Sequence, residues 1–256
     1  MKAVILAGGR GSRLAEETEV RPKPLVEIGG RPIIWHIMHI YAAAGITEFV
    51  VCAGYKGFLL KEYFANLALH NADVTVHLAS NKVDFLEESP VDWSVTVADT
   101  GRDSMTGGRI KLASKYLEPD EPFCLTYGDG VSDVDVRKVV EFHREHGRLV
   151  TLTAVRPRAR FGIIDLDGGR VTAIHEKDLS RERYVNGGFF VVDPAALDYV
   201  TGDDSIWESQ VLPRLAADGQ LSAYPHDGFW QPMDTLWEKE LLEELWQSGD
   251  APWKIW

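Results

Sequence analysis

Gly8, Gly9, Arg10, Gly11, Ser12 and Arg13 follow directly on a short apolar run, Ala3 to Leu6, and Lys23 stands between Pro22 and Pro24. Three glycines within four residues let the backbone take positive φ and come close to a ligand, so that successive amide N–H groups can converge on an anion. Arg13 and Lys23 would add full positive charge where a polyphosphate needs it. The spacing excludes two common phosphate loops: Leu14 stands where G-x-G-x-x-G needs its last glycine, and G-x-x-x-x-G-K-[ST] is absent. An ordinary turn after a strand would use the same glycines, and that alternative stays open.

A second group of candidates is acidic. The apolar run Pro122–Thr126 ends in Tyr127-Gly128-Asp129-Gly130, which places a carboxylate at the end of a predicted strand. Ligands of open α/β sheets bind at the carboxyl ends of parallel strands. Magnesium there takes one or two carboxylates and completes its shell with substrate phosphate oxygens. Asp129 suits that role or a plain turn, whereas Asp133 and Asp135 suit the cap of a helix predicted over Asp135 to Gly147. Asp234, before Thr235 and a last helix near Leu236–Trp246, is either an N-cap or a second carboxylate for the metal.

Polar groups around other glycines extend the set. Thr106-Gly107-Gly108 is a glycine turn at a helix start, either a plain N-terminus or small residues against which a flat nucleobase could lie. Glu176, Lys177 and Asn186, at strand ends beside Gly187 and Gly188, are groups that grip hydroxyl-rich sugars. Each of the three would also suit a solvated edge.

The elements that must position these residues follow from the hydrophobic pattern. Ala3–Leu6, Glu48–Ala53 and Pro122–Thr126 read as buried strands, and Ile33 to Ala44 and Phe58 to about Leu69 as helices, the βαβ rhythm of a parallel sheet. Val74–Leu78 is a further strand, and Ser80 to Thr100 is an excursion ending in a strand at Val95–Ala98, with Phe85 and Trp93 as interface candidates. Beyond Gly147, short strands at Leu149–Val155, Phe161–Leu166 and Val171–His175 suggest an antiparallel part, followed by a helix at Glu208–Ala217 and a strand at Leu221–His226. Five of the eight tryptophans lie between Trp230 and Trp256, which suggests a tail packed on the body or on a neighbouring subunit.

Composition bounds the rest. With 256 residues, 45% hydrophobic and 26% charged, the chain suits one α/β domain with a substantial core. Its net charge of −12 argues against a nucleic-acid or anionic-membrane partner. Yet residues 1–31 hold six basic side chains against four acidic ones, so the positive charge gathers around the glycine loop. Cys52 and Cys124 sit in apolar strands, as free buried thiols do. No run is long enough for a signal-peptide core or a membrane span, so a soluble cytoplasmic protein is expected.

Taken in order, MKAVILAGGRGSRL, RPKPLVEIGGRPI, TGGR, YGDG, EK, NGGFF, WQPMDT and the tail APWK cover nearly the whole chain. This set resembles the sugar-1-phosphate nucleotidyltransferases, and within them the glucose-1-phosphate cytidylyltransferases. The resemblance implies a Rossmann-like α/β fold, a mostly parallel central sheet flanked by helices with a smaller antiparallel sugar-binding part. It implies one domain, with residues 1–135 as the nucleotide half and 136–256 as the sugar half. It also implies Mg²⁺-dependent reaction of CTP with glucose 1-phosphate by a homo-oligomer, with the 80–100 excursion as interface. Carried onto these positions, Leu6, Ala7, Gly8, Gly9, Gly11, Ser12 and Arg13 would bind the nucleotide, the loop Gly8 to Arg13 holding the triphosphate, and Thr106 and Gly107 would face the base. Arg13 and Lys23 would be catalytic, and Asp129 and Asp234 would hold the metal. Tyr127, Gly128, Glu176, Lys177, Asn186 and Gly187 would bind the sugar phosphate.

Two departures stand out. Ser12 replaces a common threonine, and Lys177 is followed by Asp178 where relatives carry proline, which brings Arg181 and Arg183 into the sugar-side loop. Those arginines could recognise an additional anionic group or be exposed charges. Another nucleotide or acceptor, and a catalytically silent regulatory module, remain alternatives.

Overall fold

In strand β1 (Ala3–Ala7), Ala3, Ile5 and Ala7 enter one apolar core and Val4 the other, all nearly fully buried. A strand buried on both faces reads as a continuous apolar run and needs helices on each side of its sheet. The structure, a computed structural model, describes residues 1–87, 91–157, 163–175 and 184–256.

β1 lies between β2 (Glu48–Ala53) and β4 (Phe123–Tyr127), and β3 (Ser94–Asp99) flanks β2; all four run parallel. β5 (Val150–Val155) is antiparallel to β6 (Val185–Asn186) and β7 (Phe190–Val192), and β7 is antiparallel to β4. β8 (Leu221–His226) runs parallel to β5. Along the hydrogen-bonded path the order is β6-β5-β7-β4-β1-β2-β3, with β6 pairing at Ala154–Val155 of β5, β7 at Val150–Thr151, and β8 pairing with β5 off this path. From β1 the chain goes to β2 on one side, and β4 returns on the other. The carboxyl ends of β1 and β4 therefore flank a topological switch point, where open α/β sheets leave a crevice.

The parallel first half follows the sequence pattern. The antiparallel pairings expected beyond Gly147 are present at β5, β6 and β7, and β8, whose direction the pattern left open, is returned parallel to β5 by a crossover through Trp207–Val211 and the helix Leu212–Ala217. Ile163–Asp167 and Arg170–His175 form a separate two-stranded hairpin, and Phe161 lies outside the described residues. Val74–His77 likewise pairs only with Lys82–Phe85. The helix expected from Phe58 to Leu69 breaks into Gly57–Ala65 and Leu67–Asn71, where the Asn66 side chain donates to the Glu62 carbonyl at 2.8 Å. A side-chain bond of this kind competes with the helical ladder.

The tail packs on the body. Trp253 is fully buried, stacked on Phe229 with ring centroids 5.6 Å apart, and its indole N–H donates to His36 Nδ1 at 3.3 Å. His36 Nε2 donates to the Ile28 carbonyl at 2.9 Å, so both ring nitrogens are engaged in the neutral form. Cys52 and Cys124 are free, with their thiols pushed up to about 12 by burial. Among the described residues, no helix is long and apolar enough to cross a membrane.

Burial pushes His36 down to about 4 from an ordinary value of 6.5. The folded state thus binds fewer protons than the unfolded chain, and the stability that neutral His36 contributes is complete above pH 6.5 and lost as the pH falls towards 4. Burial pushes His39 and His143 down to about 4 as well. Urea midpoints should fall across that window, with a shallower fall in His36→Gln. Trp253→Ala should lower unfolding free energy by about 3–5 kcal/mol, the usual cost of deleting a buried tryptophan side chain.

Candidate active site

The loop after β1 is shaped from beneath. Gly11 has φ +64°, and a Cβ there would come within 2.8 Å of Thr18 Cγ2, so glycine is required. Leu14, fully buried, anchors the short turn Ser12–Leu14. The Gly8 carbonyl accepts from the Tyr55 amide at 3.1 Å and from Arg109 Nη2 at 3.2 Å. Arg109 is itself buried and also donates to Ala53 O, Thr100 Oγ1, Gly101 O and Arg102 O. One guanidinium thereby ties the loop after β1 to those after β2 and β3. Sequence reading passed over Arg109, although it ends the Thr106-Gly107-Gly108 run; its partners are carbonyls that no local pattern announces. Gly9 faces open space, and Arg10 makes only an exposed pair with Asp103 at 3.4 Å.

The charged candidates converge. Lys23, 8% exposed on the turn Lys23–Leu25, places its ammonium 2.6 Å from Asp129 Oδ2 and 2.6 Å from Asp234 Oδ1. Arg13 Nη1 lies 2.9 Å from Asp234 Oδ2. Burial alone would lower the Lys23 pKa, but the charges and hydrogen bonds of Asp129 and Asp234 outweigh it and the net shift is upward.

A short ribbon brings the two aspartates together. Gly130–Ser132 pairs with Trp230–Pro232, and the Asp129 carbonyl accepts from the Met233 amide at 2.8 Å. The two readings of Asp234 are separated by its neighbour. Thr235 is the N-cap of the helix Leu236–Gln247, and the Glu238 carboxylate closes a capping box by accepting from the Asp234 and Thr235 amides. The Asp234 carboxylate is left to turn towards Lys23. Two hard oxygen donors directed at one point suit a magnesium ion that draws its other ligands from phosphate and water. Among the described residues, no cluster of three or more His, Cys, Asp or Glu could hold a metal by itself.

These groups border a cavity of about 350 Å³ that is also lined by Leu6, Ala7, Gly8, Ser104, Met105, Thr106, Tyr127 and Gly128. Gly9, Gly11 and Ser12 complete its loop side. Gly128 must be small, since a Cβ would lie 2.8 Å from the Leu6 carbonyl. Gly107 does not line the cavity. Its amide donates to Ser205 O at 2.9 Å and a Cβ would meet that oxygen at 2.8 Å, so a backbone crossing accounts for this glycine. Asn186 and Gly187 stand behind Tyr127: Asn186 Nδ2 donates to the Tyr127 hydroxyl at 3.1 Å, and Gly187 O accepts from Trp230 Nε1 at 2.8 Å. Glu176, Lys177, Arg181 and Arg183 lie outside the described residues.

A further residue, Glu208, was read from sequence only as part of a helix. Its carboxylate accepts from Tyr127 at 2.8 Å and from Thr106 Oγ1 at 2.7 Å.

The family model for nucleotidyl transferases matches residues 2–238. The chain is 52% identical to glucose-1-phosphate cytidylyltransferase of Salmonella typhi over 100% of both chains. It is 31% identical to mannose-1-phosphate guanyltransferase of Aspergillus oryzae, over 92% of this chain and 62% of the relative. Among solved structures, UDP-glucose pyrophosphorylase complexed with UDP-glucose superposes with a TM-score of 0.68 at 14% identity, covering 97% of this chain and 98% of that one, which shows the shared fold.

Removing the shared ammonium leaves two half-buried carboxylates facing each other. Lys23→Met should cost about 1–3 kcal/mol in urea unfolding, below the usual 3–5 for breaking a fully buried pair because both aspartates keep some solvent. Adding Asp129→Asn should restore at least half of that loss.

Proposed function

The chain belongs to the nucleotidyl transferase family, and on that premise we propose that it transfers CMP from CTP to α-D-glucose 1-phosphate, giving CDP-glucose and pyrophosphate. Full-length identity to the Salmonella typhi cytidylyltransferase supports the substrate pair. The observation that carries the reading is the convergence of Lys23, Arg13, Asp129 and Asp234 at the edge of the glycine loop.

The chemistry asks little of a general base. A sugar phosphate is already anionic at neutral pH, so one of its oxygens attacks the α-phosphorus directly while the bond to the β-phosphate oxygen breaks and pyrophosphate leaves with the electron pair. The obstacle is to bring two anions into line as charge gathers on the leaving group, and positioned cations meet it. In this reading the amides of Gly8 to Arg13 hold the triphosphate, Arg13 neutralises its outer charge, and Lys23 lies beside the α-phosphate and the sugar phosphate. Asp129 and Asp234 would hold Mg²⁺, which when bound offsets phosphate charge. Thr106, with Ser104 and Met105, forms the base side. Tyr127, Gly128, Asn186 and Gly187 would form the sugar side, and Glu176 and Lys177, outside the described residues, would bind the same sugar phosphate.

The same reading makes the protein a homo-oligomer. The hairpin of Val74–His77 and Lys82–Phe85 supports this, since Val76, Leu78, Val83 and Phe85 are exposed on it, Leu78 to 85%. Apolar surface gathered on one projecting element is a common mark of a protein contact.

Pyrophosphate release measured for each NTP with a panel of sugar 1-phosphates and Mg²⁺ should be fastest with CTP and glucose 1-phosphate, and chelation should abolish it. Lys23→Ala should lower kcat by roughly a hundredfold or more, as deletion of a preorganised electrostatic group does. Near-wild-type turnover in that variant would remove Lys23 from the catalytic set. A different best pair would reassign the substrates, and no release from any pair would reject the transferase reading.

A further inference from the structure

Thr106, on the nucleotide side of the cavity, and Tyr127, on the acceptor side, come from distant parts of the chain, yet one carboxylate takes a hydrogen bond from each. Thr106 Oγ1 donates to Glu208 Oε2 at 2.7 Å, and the Tyr127 hydroxyl donates to Glu208 Oε1 at 2.8 Å. Glu208 sits in the Trp207–Val211 turn, pinned by the fully buried Trp207, whose amide donates to Thr106 Oγ1 at 2.9 Å. The turn and its two clients therefore form one closed unit.

A carboxylate only accepts, so both hydroxyl protons point towards Glu208. That choice fixes the role left to each hydroxyl oxygen. With its proton given away, the Tyr127 oxygen is left as an acceptor, and it takes Asn186 Nδ2–H at 3.1 Å. The Asn186 carbonyl oxygen then faces the other way and accepts from the Gly188 amide at 3.0 Å. Gly188 has φ +76°, and a Cβ there would come within 3.1 Å of the Tyr127 ring, so the turn carrying Asn186 is built against the same tyrosine.

We propose that Glu208 is a positioning residue that, together with the Gly188 amide, fixes the hydrogen-bond polarity of the acceptor wall: the carboxylate takes the Tyr127 proton and leaves that oxygen to Asn186 Nδ2, while Gly188 holds the Asn186 oxygen. Among the described residues Asn186 Nδ2 donates to Tyr127 alone, and in this proposal its second amide hydrogen is the donor offered to a sugar hydroxyl. Glutamine at 208 would present an N–H₂ to one of its two clients. A Tyr127 hydroxyl accepting from that amide would have to turn its proton elsewhere, and the carboxylate's common hold on Tyr127 and Thr106 would be lost. Burial and the neighbouring Glu208 charge raise the Tyr127 pKa, which keeps its proton in place for this bond.

The inference rests on the proposed cytidylyltransfer, and kinetics can separate the two. Wild-type enzyme that makes no CDP-glucose would reject the activity itself. With activity present, Glu208→Gln should raise KM for glucose 1-phosphate about tenfold or more, the ratio expected from losing a hydrogen bond to a charged group, with KM for CTP changed less than about threefold. Tyr127→Phe, which removes only the hydroxyl, should raise the same KM, and the double variant should be no worse than the worse single one because both act through one link. Glu208→Asp should recover part of the loss if it refolds around the same two donors. Equal rises in both KM values, or additive effects in the double variant, would overturn the proposal, and Tyr127→Phe alone decides it should Glu208→Gln not fold. Wild-type KM in Tyr127→Phe would overturn it as well.

Discussion

Two aspartates share one buried ammonium, and the rest of the site depends on that contact. Asp129 and Asp234, brought together from opposite ends of the second half of the chain, would repel one another at the mouth of the cavity without Lys23 between them. Holding the trio in place takes three separate pieces of backbone. The turn after β4 delivers Asp129, the ribbon between Gly130–Ser132 and Trp230–Pro232 delivers Asp234, and the prolines around Lys23 fix a short turn between the glycine loop and the helix Ile33–Ala43. The capping box of the last helix adds a fourth condition, because Thr235 and Glu238 do the capping that Asp234 would otherwise do.

Much of this was legible in the residues. The loop after β1, the aspartate after β4 and the parallel order of the first strands all follow from local patterns: an apolar run, then glycines, then charge. Asp234 was legible only as a pair of alternatives, since an aspartate before a threonine at a helix start suits either role until the geometry shows which side chain caps. The direction of β8 was not legible, because strand patterning carries periodicity but not orientation, and orientation here is set by the helical crossover that precedes it.

Arg109 and Glu208 were hidden for a different reason. The partners of Glu208 are far away in sequence, as are Gly8 and Ala53 for Arg109, and they are carbonyls and hydroxyls, which no motif encodes. Both act on the residues that form the cavity: Arg109 gathers three loop backbones beneath the glycines, and Glu208 orients the hydroxyls of Thr106 and Tyr127. Supporting groups of this kind keep dipoles fixed before a ligand arrives, so little reorganisation is left for the reaction itself. Gly107 shows the converse. Its small size invites a ligand reading, but the Ser205 carbonyl lies against it, and a backbone crossing needs glycine just as a nucleobase would.

The central claim is that a single cleft at the carboxyl ends of β1 and β4 receives the nucleotide and the sugar phosphate together. A crystal structure with CDP-glucose and Mg²⁺ tests it most directly. The account predicts the diphosphate between the Gly8–Arg13 loop and Lys23, the metal on Asp129 and Asp234, the cytosine beside Thr106, and the glucosyl ring towards Asn186 and Gly187. Density for the product in any other cleft, or a diphosphate out of reach of Lys23 and both aspartates, would contradict it.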